Sequence, residues 1–428
     1  MLPAILISQN LLTAPPTSPI SVVYEANLRA MSPGGGFAGV RARLPEIAKL
    51  KVNTLWLMPI HPVGKARSAG GLGSPYAVQN FDAVNPEFGT RQDFRNLVKD
   101  AKKLKIRVIL DWVGNHTAWD NPWIQNKDWY TQNENGEITI PAGTNWNDVA
   151  DLNFGNKTMR AAMIKSMENW VIKEGVDGFR CDYADGIPQD YWQEANSTLR
   201  SKAGKTLFFL AEGSRPANIS AGFDMDYGWP VYGFTKDLYQ GKMTPTDWVT
   251  KTLASSRNGL RFITNHDESA WDDSAPNIFG GREAALGAYV ITAFSGGSPL
   301  IYSGQEIGWE SKIPFFERSN LDWNSGKDIQ TRYREVMGTF DSAQFATTDV
   351  VEHFSTDKVV AFIRTGKKKV VIVLVNTTKE PTSIKLAYKY LIGKSWRIVG
   401  DSSTTEVSIP TIGFKPYDNV VLESPIGK

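Results

Sequence analysis

Short runs of β-branched, aromatic and aliphatic residues alternate along most of the chain with longer stretches in which apolar positions recur every three or four residues. The short runs are bounded by Gly, Pro, Asn or Asp and predict eight strands, at residues 21–26, 53–58, 106–112, 177–183, 206–212, 223–227, 260–265 and 299–303. Phe94, Leu97, Val98, Ala101 and Leu104 share one face of a predicted helix at 93–104; Met159, Met163, Met167, Trp170 and Val171 do the same at 158–173. Residues 284–294 are mostly apolar and run into Ser-Gly-Gly-Ser-Pro, which predicts a buried helix leading to the last strand. Strands that alternate with amphipathic helices build a parallel sheet covered by those helices. Eight such units predict a (β/α)8 TIM barrel rather than an open doubly wound sheet, because no dinucleotide-binding glycine pattern follows the first strand.

Two segments break the alternation. Residues 117–149, after the third strand, are polar, rich in Trp and Asn and without period, and predict a short subdomain inserted at the barrel mouth. Beyond residue 344 the helical period vanishes, and runs at 359–365, 370–376, 396–399 and 419–422 predict a C-terminal antiparallel β-sandwich domain. The expected division is a barrel of residues 1–116 and 150–344, an insert of 117–149 and a C-terminal domain of 345–428.

Composition narrows the partners. Forty-seven Lys and Arg against 45 Asp and Glu leave a formal charge of +2, with no basic block that could track a phosphate backbone, so nucleic acid is excluded as a partner. The single cysteine, Cys181, rules out an intrachain disulfide and a thiolate metal cluster. The longest apolar stretch is too short to span a bilayer, so no membrane segment is expected. Residues 1–19 lack the basic start of a signal peptide, but their leucine-rich beginning and Pro/Ser/Thr linker favour an extracellular or periplasmic setting over a cytoplasmic one. Fourteen tryptophans either fill cores or offer flat apolar faces suited to sugar rings.

In a barrel of this kind chemistry collects where strands end and loops begin. The third strand delivers Asp111, Asn115 and His116, the fourth Arg180, Asp182 and Asp185, the fifth Glu212, and the seventh His266, Asp267 and Glu268. One acid at a strand end is commonly a turn former; apolar strands ending in Arg-Cys-Asp, Ala-Glu and Asn-His-Asp gather carboxylates on one rim. Side chains alternate, so Arg180 and Asp182 share the inner side while Cys181 faces the helices, as a small buried hydrophobe rather than a nucleophilic thiol. Arg180 is expected to keep Asp182 ionised and aimed. Glu212 closes an apolar run, where burial and neighbouring acids favour the protonated, proton-donating form. One charged and one protonated carboxyl is the arrangement of retaining glycosidases.

DWVGNH, GFRCDYAD, LAEG and ITNHD resemble, in order and at comparable intervals, the four short motifs of the α-amylase family, glycoside hydrolase family thirteen. VVYEANLRA, NTLWLMPIHPVG, GSPYAVQNFDAVNPEFGT, ADLNFGN and GSPLIYSGQEIG extend the resemblance from about residue 22 to residue 323. It implies that Asp182 is the nucleophile, Glu212 the general acid/base and Asp267 the third acid, which holds sugar hydroxyls. It further implies that Arg180 supports Asp182 with Asp111 as the arginine's partner, that His116 and His266 bind hydroxyls of the sugar being cleaved, and that Tyr76 is the platform on which that sugar stacks. Asn115, Asp151 and the Gly186 carbonyl stand where many family members bind a structural calcium, although the family often has histidine at position 186. No organic cofactor is implied. His61 is read as a solvated loop histidine, and His353 is given no role.

The function implied is that of an α-amylase, a monomer cleaving α-1,4-glucosidic bonds within starch-like α-glucans and maltooligosaccharides. Neopullulanase or cyclodextrinase, oligo-1,6-glucosidase and transglycosylase activities use the same carboxylates; the short insert and the absence of an extra N-terminal sheet domain favour a simple endo-acting enzyme. A catalytically silent α-glucan-binding protein is the alternative from another class, disfavoured by the presence of all three acids. A metal-dependent barrel hydrolase is disfavoured because the chain has only four histidines.

Overall fold

A computed structural model describes residues 20–387 apart from 257, 348 and 350, together with residues 395–400 and 411–426. The leader-like stretch of residues 1–19 lies outside the described residues. β1 (Val23–Ala26), β2 (Thr54–Leu57) and β3 (Arg107–Trp112) are followed by two short strands outside the barrel, β4 (His116–Ala118) and β5 (Val149–Asp151). The barrel continues with β6 (Gly178–Cys181), β7 (Phe208–Ala211), β8 (Met225–Tyr227), β9 (Gly259–Arg261) and β10 (Ser298–Tyr302). It closes in the order β1-β10-β9-β8-β7-β6-β3-β2, with every neighbouring pair parallel. Each predicted strand is present; seven are shorter than their apolar runs, and the eighth, β10, has the expected length but begins one residue earlier.

Strand alternation separates two apolar layers. Val23, Trp56, Ile109, Phe208, Leu210, Leu260 and Leu300 point into the barrel and fill it. Leu55, Leu57, Val108, Leu110, Phe179, Cys181 and Phe209 point outward and pack under the helices, so Cys181 lies on the side expected of it. The helices are α1 (Gly36–Lys49), α2 (Arg91–Lys103), α3 (Lys157–Lys173), α4 (Gln189–Lys202), α5 (Ala217–Ser220), α6 (Trp229–Tyr239), α7 (Pro245–Ala254), α8 (Ala275–Phe279), α9 (Arg282–Phe294) and α10 (Lys327–Ala343). α2 starts at a capping box, with the Thr90 hydroxyl accepting from the Asp93 N–H and the Asp93 carboxylate accepting from the Thr90 N–H, and it buries Phe94, Leu97, Val98 and Ala101. α3 is capped by Asn156, whose side chain accepts from the Thr158 and Met159 N–H groups. α9 is buried from Ala284 to Phe294, as its mostly apolar sequence predicts.

The insert between β3 and α3 is tied together by the antiparallel β4–β5 pair, with His116 opposite Asp151. In the C-terminal region β11 (Val351–His353), β12 (Val359–Thr365), β13 (Lys369–Asn376), β14 (Thr382–Lys385), β15 (Arg397–Ile398), β16 (Thr411–Phe414) and β17 (Asn419–Pro425) form two antiparallel sheets, β11-β12-β13-β17-β15 and β14-β16. Ile372, Leu374, Ile384, Phe414 and Leu422 fill the space between these sheets. On the other face, Val360, Phe362, Val371, Val373 and Val375 join the same apolar cluster as α9 and α10. Among the described residues no helix is long and apolar enough to cross a membrane.

Candidate active site

The rim acids meet where the strands end. Asp182 after β6, Glu212 after β7 and Asp267 beyond β9 line a cleft of about 710 Å³, with Tyr76, His116 and His266 also in its wall. Arg180, fully buried on β6, is the hub. Its Nη1 donates to Asp111 Oδ1 at 2.8 Å and to Asp182 Oδ1 at 2.9 Å, and its Nε donates to the Tyr227 hydroxyl at 3.0 Å. Its Nη2 lies 2.9 Å from Glu212 Oε1, an ion pair in which the N–H does not point at the oxygen. Asp111 is held in turn by the Trp56 indole N–H at 3.0 Å and the Tyr76 hydroxyl at 2.9 Å.

One cation therefore faces three carboxyl groups. Burial, and after it the neighbouring Glu212 carboxyl, push Asp182 well above the usual carboxylate range against the pull of Arg180. This corrects the expectation that Arg180 simply keeps Asp182 ionised: the guanidinium is shared among three carboxyl groups and does not offset burial. The other oxygen of Glu212, Oε2, accepts from the Tyr183 backbone N–H at 2.7 Å. Asp185 sits one layer out and anchors the loop after Glu212, accepting from the Ser214 N–H, Arg215 Nε and Asn218 Nδ2 at 2.9 to 3.1 Å.

His266 is charged by its surroundings. Burial alone would lower its pKa, but Asp267 and Glu25 outweigh burial and raise it to about 9. Its Nδ1 donates to Glu25 Oε1 at 2.5 Å; its Nε2 faces the Tyr76 hydroxyl at 2.7 Å and Asp267 Oδ2 at 3.3 Å. An imidazolium donating to Tyr76 leaves that hydroxyl free to donate to Asp111, so His266 serves Glu25 directly and Asp111 through Tyr76, while Arg180 donates to Asp111 from the other side. Tyr76 lies beside His266 and Phe315, with ring centroids 5.2 and 5.6 Å away, while those two rings are 6.1 Å apart. Arg180 lies over the Tyr76 ring, 5.8 Å from its centroid, so Tyr76 is a largely buried member of the cleft wall. His116 is buried, and burial lowers its pKa to about 4, so it is neutral; the Trp146 ring packs edge-on against it at 5.5 Å.

The expected calcium ligands do not make a calcium site. Asp151 and Asn115 are brought near one another by the β4–β5 pair, but Asp151 bonds to Thr131 and is raised by burial, and Asn115 turns its amide toward His116 Nδ1 at 3.3 Å. A Cβ on Gly186 would lie 2.1 Å from the Tyr183 ring, and the Gly186 N–H returns to the Tyr183 carbonyl. The set offers one carboxylate where calcium takes six to eight oxygens, and among the described residues no group of three or more His, Cys, Asp or Glu could hold a metal.

His61 also departs from expectation. It is buried among Phe81, Trp112 and Trp170, at ring distances of 5.3 to 6.1 Å, with Nδ1 against the Ala83 carbonyl oxygen at 3.1 Å, and burial lowers its pKa to about 4. It is a core histidine. The sequence reading gave no role to Glu25, although an acid inside the wholly buried strand Val-Tyr-Glu-Ala was a usable signal. It also passed over Trp146, Tyr183, Trp229 and Trp271, aromatic residues of the cleft wall.

An eight-stranded parallel barrel, a C-terminal β-sandwich and a carboxylate-lined cleft at the strand ends define the class. The family description "Alpha amylase, catalytic domain" matches residues 17–212. The chain is 25% identical to "Alpha-amylase 2" of Dictyoglomus thermophilum over 83% of its own length and 66% of that protein. It is 30% identical to the "Alpha-1,4-glucan:maltose-1-phosphate maltosyltransferase" of Mycolicibacterium smegmatis, over 90% of this chain and 57% of that one. The chain thus spans less than two thirds of the length of these relatives. Among solved structures, an α-amylase from Lactobacillus plantarum aligns with a TM-score of 0.79 at 27% identity, covering 94% of this chain and 98% of its own. A maltogenic α-amylase from Thermotoga neapolitana aligns at 0.81 and 25%, covering 95% and 99%. In its sequence and in its fold the chain is similar to the α-amylase family.

Proposed function

We propose that the chain is a retaining glycoside hydrolase that cleaves α-1,4-glucosidic bonds in starch-like glucans and maltooligosaccharides. The observation that carries this is the single guanidinium of Arg180 reaching both Asp182 and Glu212. Two carboxyl groups that close suit a nucleophile and an acid/base working on one bond, whereas inversion needs room for a water between them. Asp182, oriented by the Arg180 Nη1 bond, attacks the anomeric carbon while Glu212 gives its proton to the leaving oxygen. The reactive form is the one with the proton on Glu212, whose carboxyl the Tyr183 N–H holds in place. Water, deprotonated by Glu212, then releases the sugar from Asp182. Asp267 and the His266 imidazolium bracket the sugar hydroxyls, and Tyr76 in the cleft wall meets the ring.

A second reading, transfer of a glucan to a sugar acceptor, is favoured by the maltosyltransferase relatives and uses the same first step. Chromatography of products from soluble starch, pullulan, cyclodextrin and isomaltose separates the options. Release of maltooligosaccharides from starch is expected, and no release from any of the four would leave a glucan-binding protein in its place.

A further inference from the structure

Tyr183 follows Asp182 at the end of β6 in a left-handed conformation, with φ 44° and ψ 43°. Residues with a Cβ rarely adopt it, and such strain collects at functional sites. The backbone turn aims the Tyr183 N–H at Glu212 and swings the ring into the cleft, where it is 37% exposed. Gly186 supplies the seat, since a Cβ there would strike the ring, and Trp146 from the insert braces it edge-on with centroids 5.3 Å apart. Strain, a glycine seat and a tryptophan brace together hold one flat face beside the carboxyl that serves the leaving oxygen.

We propose that Tyr183 is the stacking platform for the sugar on the leaving-group side of the scissile bond, holding the departing unit in cleavage and an incoming acceptor in transfer. The proposal rests on the hydrolase reading above. In transfer the acceptor hydroxyl attacks the anomeric carbon of the glycosyl-enzyme. The new C–O bond forms, the bond to Asp182 breaks with its electron pair returning to the carboxylate, and the hydroxyl proton passes to Glu212. A sugar stacked on Tyr183 competes with water for this step, so the ring sets the balance between transfer and hydrolysis.

Tyr183→Asn removes the ring while keeping a residue that tolerates the left-handed conformation; Tyr183→Phe keeps the ring, and Tyr183→Gly serves if the Asn variant does not fold. Two donors are compared: maltosyl fluoride, whose leaving group is fluoride, and maltotetraose, whose leaving group is a sugar. In Tyr183→Asn, kcat/KM for maltotetraose is expected to fall about three- to tenfold further than for maltosyl fluoride, the scale of one aromatic contact. The ratio of transfer to hydrolysis with added maltose should fall with it, and Tyr183→Phe should restore both. Equal losses on the two donors would overturn the proposal and assign Tyr183 to positioning Glu212 through its N–H; no loss on either would also overturn it. A wild-type protein that cleaves neither donor would instead remove the hydrolase reading itself.

Discussion

Glu25→Gln tests the electrostatic frame of the cleft without touching the three rim acids. Glu25 is one of two carboxylates that carry His266 from 6.5 to about 9. That displacement corresponds to roughly 3 kcal/mol in favour of the imidazolium. Because the folded value lies above the unfolded one, this contribution is fully present below pH 6.5 and is lost as the pH rises through about 9. Glutamine keeps the shape and can still accept from Nδ1, but it removes a charge at 2.5 Å. His266 should then titrate lower by at least about one pH unit, the usual effect of deleting a close opposite charge. With four histidines in the chain, imidazole carbon–proton NMR resolves the residue once the spectra of His61, His116 and His353 variants are compared. The wild-type signal should stay doubly protonated well past pH 8, and kcat/KM of the variant should begin its alkaline decline earlier. A wild-type His266 that titrates at or below 6.5, or identical titrations in the two proteins, would refute the pairing of His266 with Glu25 and the donor relay from His266 through Tyr76 to Asp111.

Other outcomes are equally open to measurement. Asp182→Asn should lower kcat by roughly a thousandfold or more while calorimetry still detects maltooligosaccharide binding; near wild-type turnover would take the nucleophile's role from Asp182. Proton NMR during early hydrolysis should show the α-anomer forming first, and a first-formed β-anomer would mean inversion. Arg180→Met leaves Asp111, Asp182 and Glu212 without their shared cation and should cost about 3–5 kcal/mol in denaturant unfolding, whereas a loss under about 1 kcal/mol would show that the acids find other partners. Excess chelator should leave Tm unchanged, since the donors around Asp151 do not fit calcium; a clear fall would reveal a bound cation.

The barrel was legible because each of its strands is a short apolar run cut off by turn formers, and the rim acids were legible because they sit at those cut-offs. Parity placed Arg180 and Cys181 on opposite sides, a consequence of strand geometry alone. What sequence could not convey is sharing across strands. Arg180 reads locally as the guard of Asp182, but β3 and β7 bring Asp111 and Glu212 to the same guanidinium. His61 looked solvated because Pro and Gly flank it, yet Phe81, Trp112 and Trp170 arrive from three other segments to enclose it. The calcium ligands failed for a related reason: a motif position specifies a residue type, whereas a cation needs several oxygens turned toward one point.

The shared apolar layer between the barrel helices and the C-terminal sheet bears on how the chain is made. α9 is buried on all sides, and part of its cover is β13 on residues Lys369–Asn376. A ribosome completes the last barrel strand, β10, well before β12, β13 and β17 emerge. Until they do, the nascent barrel presents the outer face of α9 to water, the kind of exposed surface that draws chaperones or aggregation. Truncations that remove the C-terminal sheet but spare every rim residue should therefore fail as soluble proteins.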